Sequence, residues 1–171
     1  TSLDLNDGDA AVIAFYDAAD DALQVAGWEA GEWRVEAVAA YPWAGSYSSL
    51  AFDASNRAAV SFYDPREGNL RYGRLAEDRW VVETVDANAD TGRYTSLVFD
   101  AAGHPCISYY EVSRGNLKYA RWDGSAWVVE VVDEAGDVGS YSRLAFDSAG
   151  NPAVAYYDAT SGNLKLCRRG G

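Results

Sequence analysis

Tyrosine, carboxylate and amide side chains recur in this 171-residue sequence at a fixed spacing of 47 residues. They suit polar ligands such as sugars, because an aromatic ring stacks on C–H groups while a carboxylate or amide bonds to hydroxyl groups. Repetition of the set predicts several equivalent pockets, and weak sites gain from multivalent binding. The predicted ligand-binding residues are Tyr47, Asp64, Asn69, Tyr94, Glu111, Asn116, Tyr141 and Asp158.

The same residue types have a structural explanation that involves no ligand. Asp or Asn before a turn caps its own backbone, and glycine supplies positive φ. A tyrosine at the end of a strand can fill the gap between neighbouring sheets. The sequence alone leaves both interpretations open.

Catalysis is not expected. The one histidine, His104, is replaced at the same repeat position by Ala10, Arg57 and Asn151, and no Ser/His/Asp or Cys/His set is evident. Paired carboxylates could serve a glycosidase, but an acid and a base need different environments, whereas these acids come as equivalent copies. No cofactor is expected either: the oxygen atoms of 53–56 could bind calcium, yet no copy contains an EF-hand-like series of ligands.

The 47-residue repeat covers the whole chain without a gap. Three copies are complete, and the fourth stops after its first 30 residues. We therefore predict one domain over residues 1–171, either alone or as part of a larger or intermolecularly closed ring. The four copies are residues 1–47, 48–94, 95–141 and 142–171.

Each complete copy is predicted to form four short strands joined by three short hairpin links and followed by one longer link. In the third copy the strands are predicted at 96–100, 106–111, 116–122 and 126–132. This pattern predicts an all-β fold, a β-propeller of four-stranded blades, with an open β-solenoid as the alternative. Glu83 and Glu130 on the outer strands are expected to pair with Arg71 and Lys118 across the strands.

The fourth blade is predicted to lack its outer strand, because the last copy ends in the third strand. An uncovered strand edge is a template for pairing. Three arrangements would follow: upstream blades have been removed, a second chain closes the ring through the exposed C-terminal edge strand, or the last blade tolerates three strands. A homo-oligomer is thus one expectation.

Charge and composition narrow the class of partner. The net charge of −12 repels nucleic acid and anionic membrane surfaces, and no stretch is long and apolar enough to insert into a membrane. The sequence has no methionine, which indicates a processed product, and we expect an extracellular or cell-surface location. Cys106 and Cys167 lie where small residues recur, so both are predicted to be free, buried thiols.

The blade pattern resembles that of tandem-repeat bacterial propeller proteins, and its period is similar to that of tachylectin-type lectins. The motifs are LAFD at 50–53, YYD at 156–158, GNLKYA at 115–120 and WVVE at 127–130. The blade sequences differ from those of tachylectin, so the resemblance implies carbohydrate binding by architecture only. The Asp-box of sialidases and the Trp-Asp ending of WD40 blades are absent.

These observations favour a noncatalytic propeller that binds glycans through repeated sites on one rim. A protein–protein interaction scaffold is the first alternative, and a glycosidase-like enzyme is the second.

Overall fold

The computed structural model describes residues 1–40 and 43–169, which form fifteen strands in four antiparallel sheets. Each sheet is one sequence repeat, and its strands follow chain order. Sheet 1 contains β1 (Ser2–Leu5), β2 (Ala11–Asp17), β3 (Ala22–Glu29) and β4 (Glu32–Ala39). Sheet 2 contains β5 (Ser46–Phe52), β6 (Ala58–Asp64), β7 (Asn69–Ala76) and β8 (Arg79–Asp86). Sheet 3 contains β9 (Thr91–Phe99), β10 (Pro105–Glu111), β11 (Asn116–Trp122) and β12 (Trp127–Asp133). Sheet 4 contains β13 (Val138–Phe146), β14 (Pro152–Asp158) and β15 (Asn163–Arg168).

The prediction for the third repeat is close for three strands and wrong for the start of the innermost one. That strand begins at Thr91, five residues earlier than expected. The backbone of Tyr94 has a φ of 53°, and the pairing of β9 with β10 shifts register near it. Sequence alternation is lost at such an irregularity, so the extension could not be read from the pattern.

The first hairpin of each sheet is closed by a carboxylate or amide that caps its own turn. The Oδ1 atom of Asp53 accepts hydrogen bonds from the backbone N–H groups of Ser55 and Arg57, at 2.9 and 3.0 Å. The same two bonds recur at Asn6, Asp100 and Asp147. Turn capping therefore explains this recurring position. The parts of the chain that the structure describes contain no cluster of three metal-ligating side chains.

Consecutive sheets pack face to face, with one apolar core between each pair. Large residues on one sheet meet small ones on the next. Ile107 and Tyr109 point into the core shared with sheet 2, where they meet Ala51 and Ala59. Cys106, on the other face of the same strand, belongs to the core shared with sheet 4.

Within the described residues, the four sheets remain separate and no sheet is closed. Sheet 4 has three strands there, which leaves β15 as an edge strand. Leu3 on the first sheet and Leu164 on the last are both exposed, whereas their repeat counterparts in the inner sheets are buried.

Both cysteines are free thiols, as predicted. Cys106 is buried, but the predicted burial of Cys167 is wrong, because Cys167 is only half-buried.

Among the residues that the structure describes, no helix has the length and apolar character needed to cross a membrane.

Candidate functional site

The three repeated tyrosines meet where the innermost strands converge. We call Tyr47, Tyr94 and Tyr141 the tyrosine row. Neighbouring ring centroids are 4.6 and 4.5 Å apart. The row lines a cavity of about 240 Å³ together with small hydroxyl side chains and Arg143. The predicted convergence of these tyrosines on one rim is therefore present, while ligand binding by them stays a prediction.

The backbone of the tyrosine row is strained. All three tyrosines have positive φ values, of 57°, 53° and 56°. Non-glycine residues in this region cost of the order of 1–3 kcal/mol each and cluster at functional or tightly constrained positions. The neighbouring sheet helps to hold this conformation: Thr95 Oγ1 donates to the carbonyl oxygen of Tyr47 at 2.8 Å, and Ser142 Oγ donates to that of Tyr94 at 2.9 Å.

Three tyrosines of this rim, Tyr63, Tyr94 and Tyr110, have raised pKa values and remain neutral at physiological pH. Burial, followed by hydrogen bonding with Tyr141, raises the pKa of Tyr94 well above its usual value. Burial and a 2.7 Å hydrogen bond to Asp137 raise the pKa of Tyr110 to about 12. Tyr63 makes the equivalent bond to Asp90, also at 2.7 Å. The rim thus offers aromatic faces and neutral hydroxyl groups.

The predicted carboxylates and amides lie on the same rim, but they are buried and bonded within the protein. Asp64 accepts from the Nε of Arg71 at 3.2 Å, and Asp158 forms an ion pair with Lys165 at 3.0 Å. The remaining bonds of this kind are Asn116 Nδ2 to Glu111 at 3.1 Å and Asn69 Nδ2 to Glu67 at 3.0 Å. The structure therefore does not combine Asp64, Asn69, Glu111, Asn116 and Asp158 with the tyrosine row in one open pocket.

A larger cavity, of about 410 Å³, lies between sheets 2 and 3 toward the opposite rim, and we call it the intersheet groove. Three aromatic rings wall it. The centroid of Trp127 lies 5.3 Å from that of Tyr72 and 5.7 Å from that of Trp122, both in edge-to-face geometry. Rings held in this way present fixed apolar surfaces to a ligand.

Charged side chains complete the intersheet groove. Glu83 accepts a hydrogen bond from the indole Nε1 of Trp127 at 2.9 Å. Arg57 pairs with Asp53 at 2.7 Å. Arg74 is exposed, and no hydrogen bond or ion pair to it occurs within the described residues. The groove therefore combines aromatic walls with an arginine whose donors are available to a ligand.

The expected pairing of the outer-strand glutamates with Arg71 and Lys118 is wrong. The two-residue turn between β7 and β8 sets a register in which Glu83 lies opposite Tyr72 and Thr84 lies opposite Arg71. Lys118 instead bonds to Asp86 of the preceding sheet. The sequence did not reveal this register, and with it the role of Glu83 in the groove was missed.

The copies of the groove are unequal. Between sheets 3 and 4 a cavity of about 220 Å³ retains Glu130, the counterpart of Glu83. Arg169 stands at the repeat position of Trp122 and bonds to Glu130 at 3.0 Å. Between sheets 1 and 2, Val25 takes the position of Tyr72. The intersheet groove between sheets 2 and 3 thus has the fullest set of aromatic and charged side chains.

None of the carboxylates whose pKa is shifted has the raised value that a general acid needs. Burial acts to raise the pKa of Asp53, but hydrogen bonds from Arg57 outweigh it and lower the pKa. Asp86 and Asp133 behave in the same way, with bonds from lysine and tyrosine overcoming the effect of burial. Among the described residues, every carboxyl group with a resolved shift is shifted downward.

Comparison with known proteins relates the fold to carbohydrate-active proteins. No protein-family model matches the sequence, and no curated protein sequence matches it. A fucose lectin from Kordia zhangzhouensis, solved with methyl-fucoside, is 18% identical, with a TM-score of 0.52. The alignment covers 75% of this chain and 96% of the lectin.

Two other solved structures align over nearly the whole chain. A protein of unknown function from Dyadobacter fermentans has a TM-score of 0.68 at 9% identity, over 98% of this chain and 59% of its own. An exo-β-1,3-galactanase from Phanerochaete chrysosporium, solved with galactose, has a TM-score of 0.58 at 12% identity, over 97% of this chain and 44% of its own. The chain thus spans only about half the length of these two proteins. At such identities the likeness shows the fold alone, an all-β, β-propeller-like arrangement of repeated sheets.

Proposed function

We propose that this protein is a noncatalytic carbohydrate-binding propeller and that the intersheet groove is its principal glycan site. The observation that carries the proposal is the combination of aromatic walls with the exposed, unpaired Arg74 in one open cavity. Sugar C–H faces would pack on the half-buried Trp122 and Trp127, while the guanidinium and the carboxylate of Glu83 would bond to hydroxyl groups. The fucose lectin and the galactanase support a carbohydrate ligand by fold similarity.

The electrostatics of Asp53 argue against its acting as the acid of a glycosidase. A glycosidase needs one carboxylic acid that is still protonated near neutral pH. Asp53 has a lowered pKa and an arginine partner, so it is ionised in that range. Binding through the groove requires neither a metal ion nor another cofactor. A glycan partner also fits the expected extracellular or cell-surface location.

The proposal can be tested with a glycan array followed by titration of the best array ligand. Arg74→Ala removes a charge-assisted hydrogen bond worth about 1.5–3 kcal/mol, so we expect the dissociation constant to rise by about 10- to 100-fold. Arg79→Ala serves as the matched control, because Arg79 is an exposed arginine of the same sheet that does not line the groove. Unchanged affinity in the Arg74 variant would refute the groove as the site.

Tyr141→Ala tests the second candidate site, the tyrosine row, which is favoured by its strained backbone and its open central cavity. With the groove as the principal site, this variant retains the array signal. Loss of signal in Tyr141→Ala but not in Arg74→Ala would move the site to the tyrosine row. A wild-type protein that binds no glycan would favour the protein-interaction scaffold instead, and hydrolysis of an array ligand would favour the enzyme.

A further inference from the structure

Sheet 1 has an uncovered apolar face, which points away from sheet 2, and we call it the front face. Leu3 on this face is 61% exposed, whereas its repeat counterpart Leu50 is 5% exposed. The front face consists of Leu3, Leu5, Ile13, Phe15, Trp33 and Val35. Their counterparts in sheet 2 all belong to, or pack against, the core between sheets 1 and 2: Leu50, Phe52, Val60, Phe62, Trp80 and Val82. The front face therefore repeats the surface with which one sheet covers its predecessor.

Sheet 4 has the complementary uncovered face, which points away from sheet 3, and we call it the back face. Leu166 on this face is 56% exposed, whereas its counterpart Val25 is 8% exposed and lies in the core between sheets 1 and 2. Ala153 and Ala155 occupy the positions of Val12 and Ala14, which line the same core. Most residues of the back face are therefore small or aliphatic, like those that receive the large residues of a following sheet. The exposed Arg143 and Arg168 lie on the same face, opposite Ala155 and Ala153.

We propose that the front face of one copy packs on the back face of a second copy, so that two chains close one ring. The two faces are the two halves of an interface that the chain already makes three times between its own sheets. Propellers typically have four to eight blades. One copy leaves both faces open, two copies supply eight sheets, and a third copy would exceed that range.

Two polar contacts between sheets bear on this pairing. At each contact within the chain a leucine N–H donates to a serine Oγ of the preceding sheet, but Arg143 takes the serine position in sheet 4, so the proposed contact lacks this bond. The second contact, a buried carboxylate, is not required. Between sheets 2 and 3, Tyr109 and Lys118 reach back to the carboxylate of Asp86, at the end of a fourth strand. Sheet 4 has three strands within the described residues and offers no such carboxylate. Sheet 1 has Phe15 and Gln24 at the tyrosine and lysine positions, so its front face carries neither group that would need one.

Contact through these faces differs from pairing at the edge strand β15, because it buries side chains rather than backbone groups. It also gives a head-to-tail interface, in which different surfaces meet, and such an interface closes only if the rotation between copies completes a ring. Mixing variants can therefore distinguish it from a symmetric contact.

Light scattering of the chain, coupled to size-exclusion chromatography and without any glycan, tests the proposal independently of the groove. We expect a mass of roughly twice the 18.5 kDa of one chain. A mass of one chain across a concentration series would overturn the proposal.

Single charges placed on either face provide the second test. Leu166→Glu on the back face and Val35→Glu on the front face should each yield monomers. An equimolar mixture should recover dimers, because one interface then joins two unaltered faces. Val128→Glu is the matched control, since Val128 is 46% exposed but lies on neither face, and it should remain dimeric.

Two outcomes would contradict the head-to-tail arrangement: a dimer that survives Leu166→Glu, and a mixture that stays monomeric. Circular dichroism checks that each variant is folded. Ile13→Glu and Leu164→Glu replace any variant that is not, because they alter the same two faces.

Discussion

Asp86 is the carboxylate on which the contact between sheets 2 and 3 depends most strongly. Its side chain is fully buried, and its Oδ2 atom accepts hydrogen bonds from Lys118 and, at 2.8 Å, from Tyr109. Its Oδ1 atom accepts a bond from the backbone N–H of Asn88 at 2.9 Å. Burial alone would raise the pKa of Asp86, but the bonds from Lys118, Asn88 and Tyr109 lower it, so the group is ionised at neutral pH.

Asp86→Asn keeps the shape of the side chain but leaves the ammonium group of Lys118 buried without a counter-charge. Breaking a buried ion pair in this way costs about 3–5 kcal/mol. For a chain of 171 residues each kcal/mol lowers the melting temperature by about 2–4 °C, so we expect a decrease of about 6–20 °C. Thermal unfolding followed by circular dichroism, together with urea denaturation, measures both quantities.

Asp133→Asn is a control supplied by the repeat. Asp133 accepts from Tyr156 at 2.7 Å and from Lys165 at 3.3 Å, which is the same arrangement one sheet further on. Lys165 is partly exposed and has a second partner, Asp158, at 3.0 Å, so its charge is not stranded. A much smaller loss of stability is expected.

Adding Lys118→Met to Asp86→Asn should recover most of the lost stability, because no unpaired charge remains in the core. Equal losses for Asp86→Asn and Asp133→Asn, or a double variant no more stable than Asp86→Asn, would refute the reasoning.

Two more predictions concern acid stability and the backbone. Because the folded-state pKa of Asp86 is lowered, its contribution to stability is present above the unfolded value of about 3.8 and is lost as the pH falls through the folded value. Urea midpoints should therefore fall steeply below about pH 4, and Asp86→Asn should flatten that decline; a parallel decline in both proteins would contradict it. Gly92→Ala should destabilise more than Gly103→Ala in thermal unfolding. Both glycines have positive φ, but a Cβ at Gly92 would lie 2.8 Å from the backbone of β7, whereas one at Gly103 meets nothing within 4 Å. Equal effects would show that the close approach is relieved at little cost.

The order of strands within each sheet could be predicted from the sequence, because short turn signals and apolar alternation are local. The packing of Ile107 and Tyr109 against one neighbour and of Cys106 against the other also followed, since successive side chains of a strand point to opposite faces. Strand direction also placed the tyrosine row on one rim, but it did not predict that the three rings contact one another.

The intersheet groove could not be predicted in the same way. Its walls come from two repeats, and which residues face each other depends on how one sheet is rotated and shifted against the next. The turn between β7 and β8 sets the register that brings Glu83 opposite Tyr72, and the sequence pattern left the geometry of that turn open. The burial of Asp64 and Glu111 was missed for a related reason: their partners Arg71 and Asn116 lie across a turn whose geometry the pattern left open.

The inequality of the grooves bears on how the protein would achieve strong binding. Equivalent pockets in every blade would give avidity within one chain, but only the groove between sheets 2 and 3 combines Tyr72, Trp122 and an unpaired Arg74. Avidity would then come from the second copy, which brings a second full groove onto the same ring. If both proposals hold, Leu166→Glu should bind soluble glycan with unchanged affinity, yet dissociate much faster than the wild type from a dense glycan surface. Surface plasmon resonance at high and low glycan density measures the difference. Density-independent dissociation by the wild-type dimer would mean that its two grooves cannot bind the same surface together.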